Sequence, residues 1–167
     1  MSGGLESIRE QMVDHLKKQG VQASAAWPGR LRQEQKETLA VVSLRGCQAE
    51  TAAFQDYLGE RYDERTGLWQ ELYGRRAALT FGLDLYAPRG QGDEGIQAAF
   101  DQVVQAFAQG CPQGLAVQEV ACGETAYDSQ ARRMKRTAQV VCQAYLYAVA
   151  QPGGLFTDFE LRGGIKP

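Results

Sequence analysis

The sequence contains a single histidine, and its four cysteines lie far apart along the chain. The cysteines are Cys47, Cys111, Cys122 and Cys142, and no two of them form a C-x-x-C pair of the kind that binds zinc or exchanges disulfides. A zinc site would have to gather ligands from distant segments, with His15 as its one imidazole. The sequence therefore predicts no metal and no cofactor. We expect the cysteines to be buried reduced thiols, because free cysteine behaves as a small apolar residue.

Short catalytic motifs are also missing. The chain has no G-x-x-x-x-G-K-[ST] loop, no G-x-S-x-G turn and no H-E-x-x-H pair. The glycines of "RGQGDEG" accompany two carboxylates that would repel a phosphate, so this segment is predicted to be a loop. Asp84 is the best isolated acidic candidate, but we expect it to face solvent or to pair with Arg75 or Arg76. His15 is expected to be a surface or capping residue, and the sequence predicts no enzyme.

Long apolar runs and an excess of basic residues are absent as well. The formal net charge is −2, and no apolar run approaches the roughly 20 residues that span a bilayer. The segment "MSGGLESIREQMVDHL" mixes charged and apolar residues, unlike a signal peptide. We expect a cytoplasmic protein without a membrane partner. The basic run "ARRMKR" (residues 131–136) is expected to be a solvated hairpin tip or to form ion pairs with an acidic partner, with no sequence-specific nucleic acid as a partner.

Two segments have the spacing of amphipathic helices. The first stripe predicts a helix over residues 5–19 that ends at Gly20, and it consists of Leu5, Ile8, Met12 and Leu16. The second stripe predicts a helix over residues 93–109 with Asp93 as its N-cap, and it consists of Ile96, Ala99, Phe100, Val103 and Phe107.

The remaining apolar segments have the composition or period of strands. "LAVVSL" (residues 39–44) predicts a buried strand, and residues 45–55 show no period and are expected to be a loop. Apolar residues alternate from Leu79 to Leu85, which predicts a strand with one face on the core. Further strands are predicted over residues 115–122, 134–150 and 156–161.

These elements predict a single α+β domain over residues 1–167. Their order, α-β-β-α-β-β plus a long β-hairpin, favours a mainly antiparallel sheet with both helices on one face. We expect one core to contain Leu79, Phe81, Leu83, Ile96, Phe100 and Phe107.

The hairpin is unusually rich in aromatic residues for a segment with no visible chemistry. It lies within "YLGERYDERTGLWQELYGRRAALTFGLDLYAP" (residues 57–88), and "DERTG" supplies its turn. Tyrosine and tryptophan are enriched at protein interfaces, so the hairpin is a candidate for assembly. An alternative is that these rings cover the helix-free face of the sheet. As an isolated two-stranded arm the hairpin would be marginally stable. The candidate interface residues are Tyr57, Tyr62, Trp69, Tyr73, Arg75 and Arg76.

In element order the chain resembles the tail terminator (tail completion) proteins of long-tailed bacteriophages and prophages. The likeness is carried by the helix "LESIREQMVDHLKKQG", the strand "LAVVSL", the aromatic hairpin and the helix "GIQAAFDQVVQAFAQG". It covers most of the chain without a short signature motif. The polar connection before "LAVVSL" and the C-terminal "FTDFELRG" depart from the usual pattern.

The resemblance implies a structural protein that caps a finished tail tube as a hexameric ring and joins it to the head. Its partners would be other copies of itself, the tail-tube protein and the head–tail connector. It would assemble in the host cytoplasm and end in the virion tail. The alternative is a small ligand-binding or regulatory α+β domain without catalysis, which fits the composition and fold equally well.

Overall fold

A computed structural model of the chain describes residues 4–26, 36–51, 54–112, 115–150 and 156–158. These residues form two helices and seven strands. In chain order they are α1 (Gly4–Lys18), β1 (Ala23–Ser24), β2 (Leu39–Thr51), β3 (Tyr57–Asp63), β4 (Leu68–Tyr86), α2 (Asp93–Gln109), β5 (Ala116–Asp128), β6 (Arg133–Ala150) and β7 (Phe156–Asp158), with a short 3-10 turn at Phe54–Asp56 before β3.

All seven strands belong to one sheet. The strand order is β1-β2-β4-β6-β5, while β3 pairs with β4 and β7 pairs with β6. Only β1 and β2 run parallel, and the remaining pairs are antiparallel. The prediction of an α+β fold with a mainly antiparallel sheet is therefore confirmed.

The core lies where the helices meet the middle of the sheet. Leu79, Phe81 and Leu83 are fully buried on β4, and Phe81 lies opposite Val140 of β6. We call this side of the sheet the core face and the other side the back face. The cluster on the core face also contains the helix residues Ile8, Met12, Leu16, Ile96, Val103 and Ala106, with Phe100 and Phe107 partly buried against it. The predicted core is confirmed.

His15 connects the two helices. Its Nε2 lies 3.3 Å from the carbonyl oxygen of Ala106, and its ring stacks on Phe107 with centroids 5.9 Å apart. Ala106 is in the last turn of α2, where carbonyl groups lack partners within the helix. His15 is thus half-buried and caps the neighbouring helix, which is the capping alternative of the two expected roles.

Strand β2 is longer than predicted. Residues 45–51, expected to be a loop, continue β2, and residues 46–51 pair with Thr80 to Arg75 of β4. The register shifts between Leu44 and Gly46. The bulge shifts the alternation of side chains by one residue, and most residues beyond it are exposed, so no apolar period marks them as a strand. Of the predicted final strand, only Phe156–Asp158 lies within the described residues.

A buried arginine holds the start of α2 against the sheet. The Arg136 side chain donates from Nε to Thr125 Oγ1 (2.9 Å), from Nη1 to Gln97 Oε1 (2.7 Å) and from Nη2 to Asp93 Oδ1 (2.8 Å). The predicted N-cap was wrong by one position, because Gly92 caps the helix and Asp93 is its first residue. The Asp93 carboxylate instead binds Arg136, at a helix end that favours negative charge.

The basic run 131–136 is therefore not a solvated tip. Arg133 and Arg136 are buried, and Arg132 is the exposed one among its charged residues. Lys135 Nζ lies 3.9 Å from an Asp84 carboxylate oxygen and 3.8 Å from one of Asp128. Because side chains alternate along a strand, these basic residues lie on both faces of the sheet. The sequence alone does not show which face each residue occupies.

The four cysteines are free thiols, but only one is buried. Burial raises the pKa of Cys142 to about 12, with a smaller contribution from Cys111. Cys47, Cys111 and Cys122 are exposed, so the expectation of four buried thiols was wrong for three of them.

We predict that Phe81→Ala destabilises the fold by about 3–5 kcal/mol, because it leaves a cavity in a fully buried site. Phe54→Ala is the matched control. Phe54 is 86% exposed, so the same truncation should change the free energy of unfolding by less than about 0.5 kcal/mol. Urea unfolding followed by circular dichroism measures both. Equal losses for the two variants would contradict the assigned core.

Candidate assembly surface

A capped turn joins β3 to β4. Asp63, the last residue of β3, accepts hydrogen bonds at Oδ1 from the Arg65 amide (3.0 Å) and at Oδ2 from the Thr66 hydroxyl (2.9 Å). The Gly67 amide donates to the Asp63 carbonyl at 2.8 Å, and Gly67 has a φ of 68°. Glycine adopts this left-handed conformation without a steric penalty, so "DERTG" closes the hairpin as predicted.

The hairpin is part of a three-stranded end of the sheet. Residues 71–73 of β4 pair with β3 on one side and with residues 148–150 of β6 on the other. Only residues 68–70 of β4 pair with β3 alone. The expectation of an isolated two-stranded arm was therefore wrong, because β6 extends beyond the core and pairs with the hairpin.

A second buried cluster supports the hairpin from the back face. It consists of Leu72, Tyr147 and Val149, with Leu58 and Tyr145 packed against it. Arg61 of β3 donates to Gln70 Oε1 at 2.9 Å and to the Tyr147 hydroxyl at 3.4 Å. The buried side of the sheet thus changes from the core face to the back face near Gly74, which leaves the core face of the hairpin open.

Four aromatic rings lie on that open face in two cross-strand pairs. Tyr57 packs against Tyr73, and Tyr62 packs against Trp69, each pair with centroids 5.5 Å apart and ring planes at 60°. We call these four residues the aromatic strip. Trp69 is 56% exposed and Tyr62 is 50% exposed, so each pair packs within itself and still offers a surface. The sequence analysis grouped these four residues in one hairpin, and the structure places them together on one face.

The two arginines of the predicted interface do not lie together. Arg75 is on the core face, two residues from Tyr73, and its Nε lies 3.6 Å from Asp56 Oδ2. Arg76 is on the back face, opposite Glu50 of β2, and its Nη2 lies 3.4 Å from Glu50 Oε2. Neighbouring residues of a strand point to opposite faces, so Arg76 is separated from the aromatic strip.

Two glutamates stand between the aromatic pairs. Glu60 of β3 lies directly opposite Glu71 of β4, and both point to the same face as the strip. The Tyr73 hydroxyl donates to Glu71 Oε2 at 2.8 Å, and this bond is the main reason why the pKa of Tyr73 is raised. Burial, followed by the charges of Glu60 and Glu71, raises the pKa of Tyr57. Both phenols therefore remain neutral hydrogen-bond donors well above neutral pH.

The sequence analysis missed three exposed apolar residues, of which one precedes β3 and two lie at hairpin tips. Phe54, in the 3-10 turn, is more exposed than any residue of the aromatic strip, and Leu68 and Tyr127 are also exposed. Tyr127 precedes Asp128 at the tip of the β5–β6 hairpin, as Tyr62 precedes Asp63. The repeated Tyr-Asp pair was the available signal for this position.

The acidic candidate of the sequence, Asp84, has a structural partner. Its Oδ1 accepts hydrogen bonds from Arg45 Nη2 (2.9 Å) and from the Thr137 hydroxyl (3.2 Å). The Arg45 guanidinium lies over Gly82, where a Cβ atom would collide with it. The expected partners, Arg75 and Arg76, pair elsewhere. Among the described residues, no three side chains of the metal-binding types are grouped together.

A shallow groove lies beside α2, away from the hairpin. Its volume is about 420 Å³, and it is open to solvent. The groove is lined mainly by amide side chains, small residues and two charged side chains. The lining includes Gln22, Lys36, Glu37, Gln91 and Gln102. No helix in the described part of the chain is long and apolar enough to cross a membrane.

Comparison with known proteins found matches among solved structures. No protein-family model matches the sequence, and no curated protein matches it either. Among solved structures, the chain is similar to the sheath/tube terminator of an extracellular contractile injection system (PVC) in its extended state. The sequence identity is 14% and the TM-score 0.46, over 97% of this chain and 65% of that chain.

The hairpin turn predicts a pH dependence. The Thr66 hydroxyl, with the Arg65 amide, holds the pKa of Asp63 below its ordinary value of 3.8. Because the folded state favours the charged carboxylate, this stabilisation is present above pH 3.8 and is lost as the pH falls through the lower folded pKa.

We therefore expect the stability difference between the wild type and Asp63→Asn to shrink as the pH is lowered below 3.8. Fluorescence of Trp69 in a Trp27→Phe background reports on the hairpin during urea unfolding at each pH. Asparagine keeps the shape of the side chain but does not titrate. A stability difference that stays constant across this range would contradict the proposed role of the charge.

Proposed function

We propose that this chain is a structural protein of a phage or prophage tail, which caps the tail tube as a ring and joins it to the head. The observation that supports the proposal is the aromatic strip, an exposed set of four rings on a supported end of the sheet. Element order supplies the specific role, through the resemblance to tail terminator proteins. The function is binding, and no catalytic step is part of it.

The aromatic strip has the chemistry of an interface centre. Exposed aromatic residues that cluster at one place mark docking surfaces, since scattered exposed apolar residues are normal but contiguous ones are not. Tyrosine and tryptophan each bury a large ring while keeping a polar tip satisfied. The back-face cluster of Leu72, Tyr147 and Val149 holds the strip in place, which lowers the entropy lost on binding.

A ring role requires contacts between two different patches of the same chain. The partners we propose are neighbouring copies, the tail-tube protein and the head–tail connector. Assembly would occur in the host cytoplasm and the product would be part of the virion tail. Neither a membrane nor a sequence-specific nucleic acid is a partner in this proposal, in keeping with the formal net charge of −2.

The groove beside α2 favours one alternative, a small ligand-binding or regulatory domain. Its open shape and polar lining suit a small polar molecule. Thermal unfolding in a panel of nucleotides, amino acids and sugars separates the two functions. A saturable stabilisation that Gln102→Ala removes would favour the alternative, and none is expected for a tail protein.

The direct experiment uses tail tubes polymerised from the tube subunit of the same genome. Purified chain is added during polymerisation, and tube lengths and ends are recorded by electron microscopy. We expect shorter tubes of uniform length with density at one end. An unchanged length distribution and bare ends would contradict the proposal.

We predict that Trp69→Ala weakens binding to tube ends by about 1–3 kcal/mol, because it removes an anchor from the interface. The free energy of unfolding should change little, since Trp69 is more than half exposed. Val104→Ala is the control, as it truncates an exposed apolar residue of α2 away from the strip. Unfolding of the Trp69→Ala monomer would show instead that Trp69 belongs to the core.

A further inference from the structure

The sheet ends in a hairpin turn at each of its two ends. Strands β4 and β6 are antiparallel neighbours, and each begins at its own turn, residues 64–67 for β4 and residues 129–132 for β6. Antiparallel pairing therefore sends the β3–β4 hairpin and the β5–β6 hairpin to opposite ends. We call them the first end and the second end.

The first end has an excess of negative charge on its open face. Glu60 and Glu71 are directly opposite each other between the two aromatic pairs. Like charges in this position destabilise an antiparallel pair. No ion pair joins either glutamate to another residue in the described part of the chain, and the nearest arginine on this face, Arg75, lies beside Asp56. Two carboxylates flanked by aromatic rings form a site for a cation, through charge and cation–π attraction.

The second end presents exposed arginines. Arg132 is the last residue of the β5–β6 turn, and Arg89 is in the turn that follows β4 at the same end. Both are exposed, and neither forms an ion pair with a described residue. Asp128 Oδ1 accepts hydrogen bonds from the amides of Gln130 (2.9 Å) and Ala131 (3.0 Å), so the turn that carries Arg132 is fixed. Tyr127, 63% exposed, adds an apolar surface beside it.

We propose that the aromatic strip and its two glutamates receive Arg132, with Arg89 beside it, from the second end of another copy of this chain. The inference rests on the proposed function and specifies the contact between neighbouring subunits. Guanidinium groups stack on aromatic rings and bind carboxylates in pairs, so arginine fits both features of the site. First ends meeting each other would bring four glutamates together, which disfavours a symmetric contact. The contact we propose is heterologous: the second end of one copy binds the first end of the next, so the contact repeats from copy to copy.

The test uses two complementary double variants in the full chain. One carries Glu60→Gln and Glu71→Gln at the first end, and the other carries Arg89→Gln and Arg132→Gln at the second end. Arg65→Gln, in the β3–β4 turn but outside the site, is the control. Sedimentation equilibrium over a range of protein and salt concentrations measures association, and circular dichroism confirms that each variant is folded.

We expect the wild type and Arg65→Gln to associate reversibly, more weakly at high salt. Each double variant alone should associate at least about tenfold more weakly. An equimolar mixture of the two should form a one-to-one dimer and stop there, because each variant retains the patch that the other lacks. A contact between two first ends does not give this result, because the variant that keeps its first end would then associate with itself.

Association of either double variant at wild-type strength would overturn the inference, as would a mixture that associates no better than its components. A wild-type chain that stays monomeric up to its solubility limit would also overturn it. Binding of that monomer to tube ends through Trp69 would leave the proposed function standing, so the two failures are distinguishable.

Discussion

The long ladder between β4 and β6 is the constraint on which the other features depend. Every residue from Glu71 to Tyr86 pairs with one from Ala150 to Lys135 without a register shift. Since side chains alternate strictly along a regular strand, this ladder fixes which face each residue occupies. It places Phe81 under the helices and Tyr73 on the same face, beyond the core cluster, which on β4 begins at Ala77. The core and the aromatic strip therefore share one face because of a single uninterrupted register.

The same ladder explains why the sheet changes its buried side. The helices cover the middle of the core face, and the strands continue past that cover. A strand end with no cover on either face would lose stability, because few of its apolar side chains would leave water. The back-face residues Leu72, Tyr147 and Val149 supply that burial for the hairpin. The end of the sheet is thus stabilised from the side that the aromatic strip does not use.

Elements with a strong hydrophobic period could be predicted from the sequence. The prediction failed where a β-bulge or a partner distant in sequence determines the structure. The alternation from Leu79 to Leu85 and the stripe from Ile96 to Phe107 predicted the core correctly. Residues 45–51 look irregular because the bulge near Gly46 shifts their phase and most of them are exposed, with no apolar face to show a period. Arg136 looks like part of an exposed basic run, and its burial depends on Asp93 and Gln97 of α2, which are distant in sequence. In the candidate site, the four rings could be grouped from the hairpin pattern. The placement of Arg75 and Arg76 on opposite faces could be determined only from the strand register.

Support from the back face changes how the aromatic strip can bind. An isolated two-stranded arm would have to become ordered on contact, and that entropy cost would be subtracted from the binding energy. Here Arg61 binds Gln70 and Tyr147, and Leu72 is buried, so β3 and β4 are held before any partner arrives. The unfavourable pairing of Glu60 with Glu71 is retained within this fixed frame. A cation from a partner would relieve that repulsion at the moment of contact, so the same feature that costs stability in the free chain adds affinity in the assembly. In the proposed assembly, interface affinity and fold stability would be carried by opposite faces of the same strands, and substitutions on one face would change the first without the second.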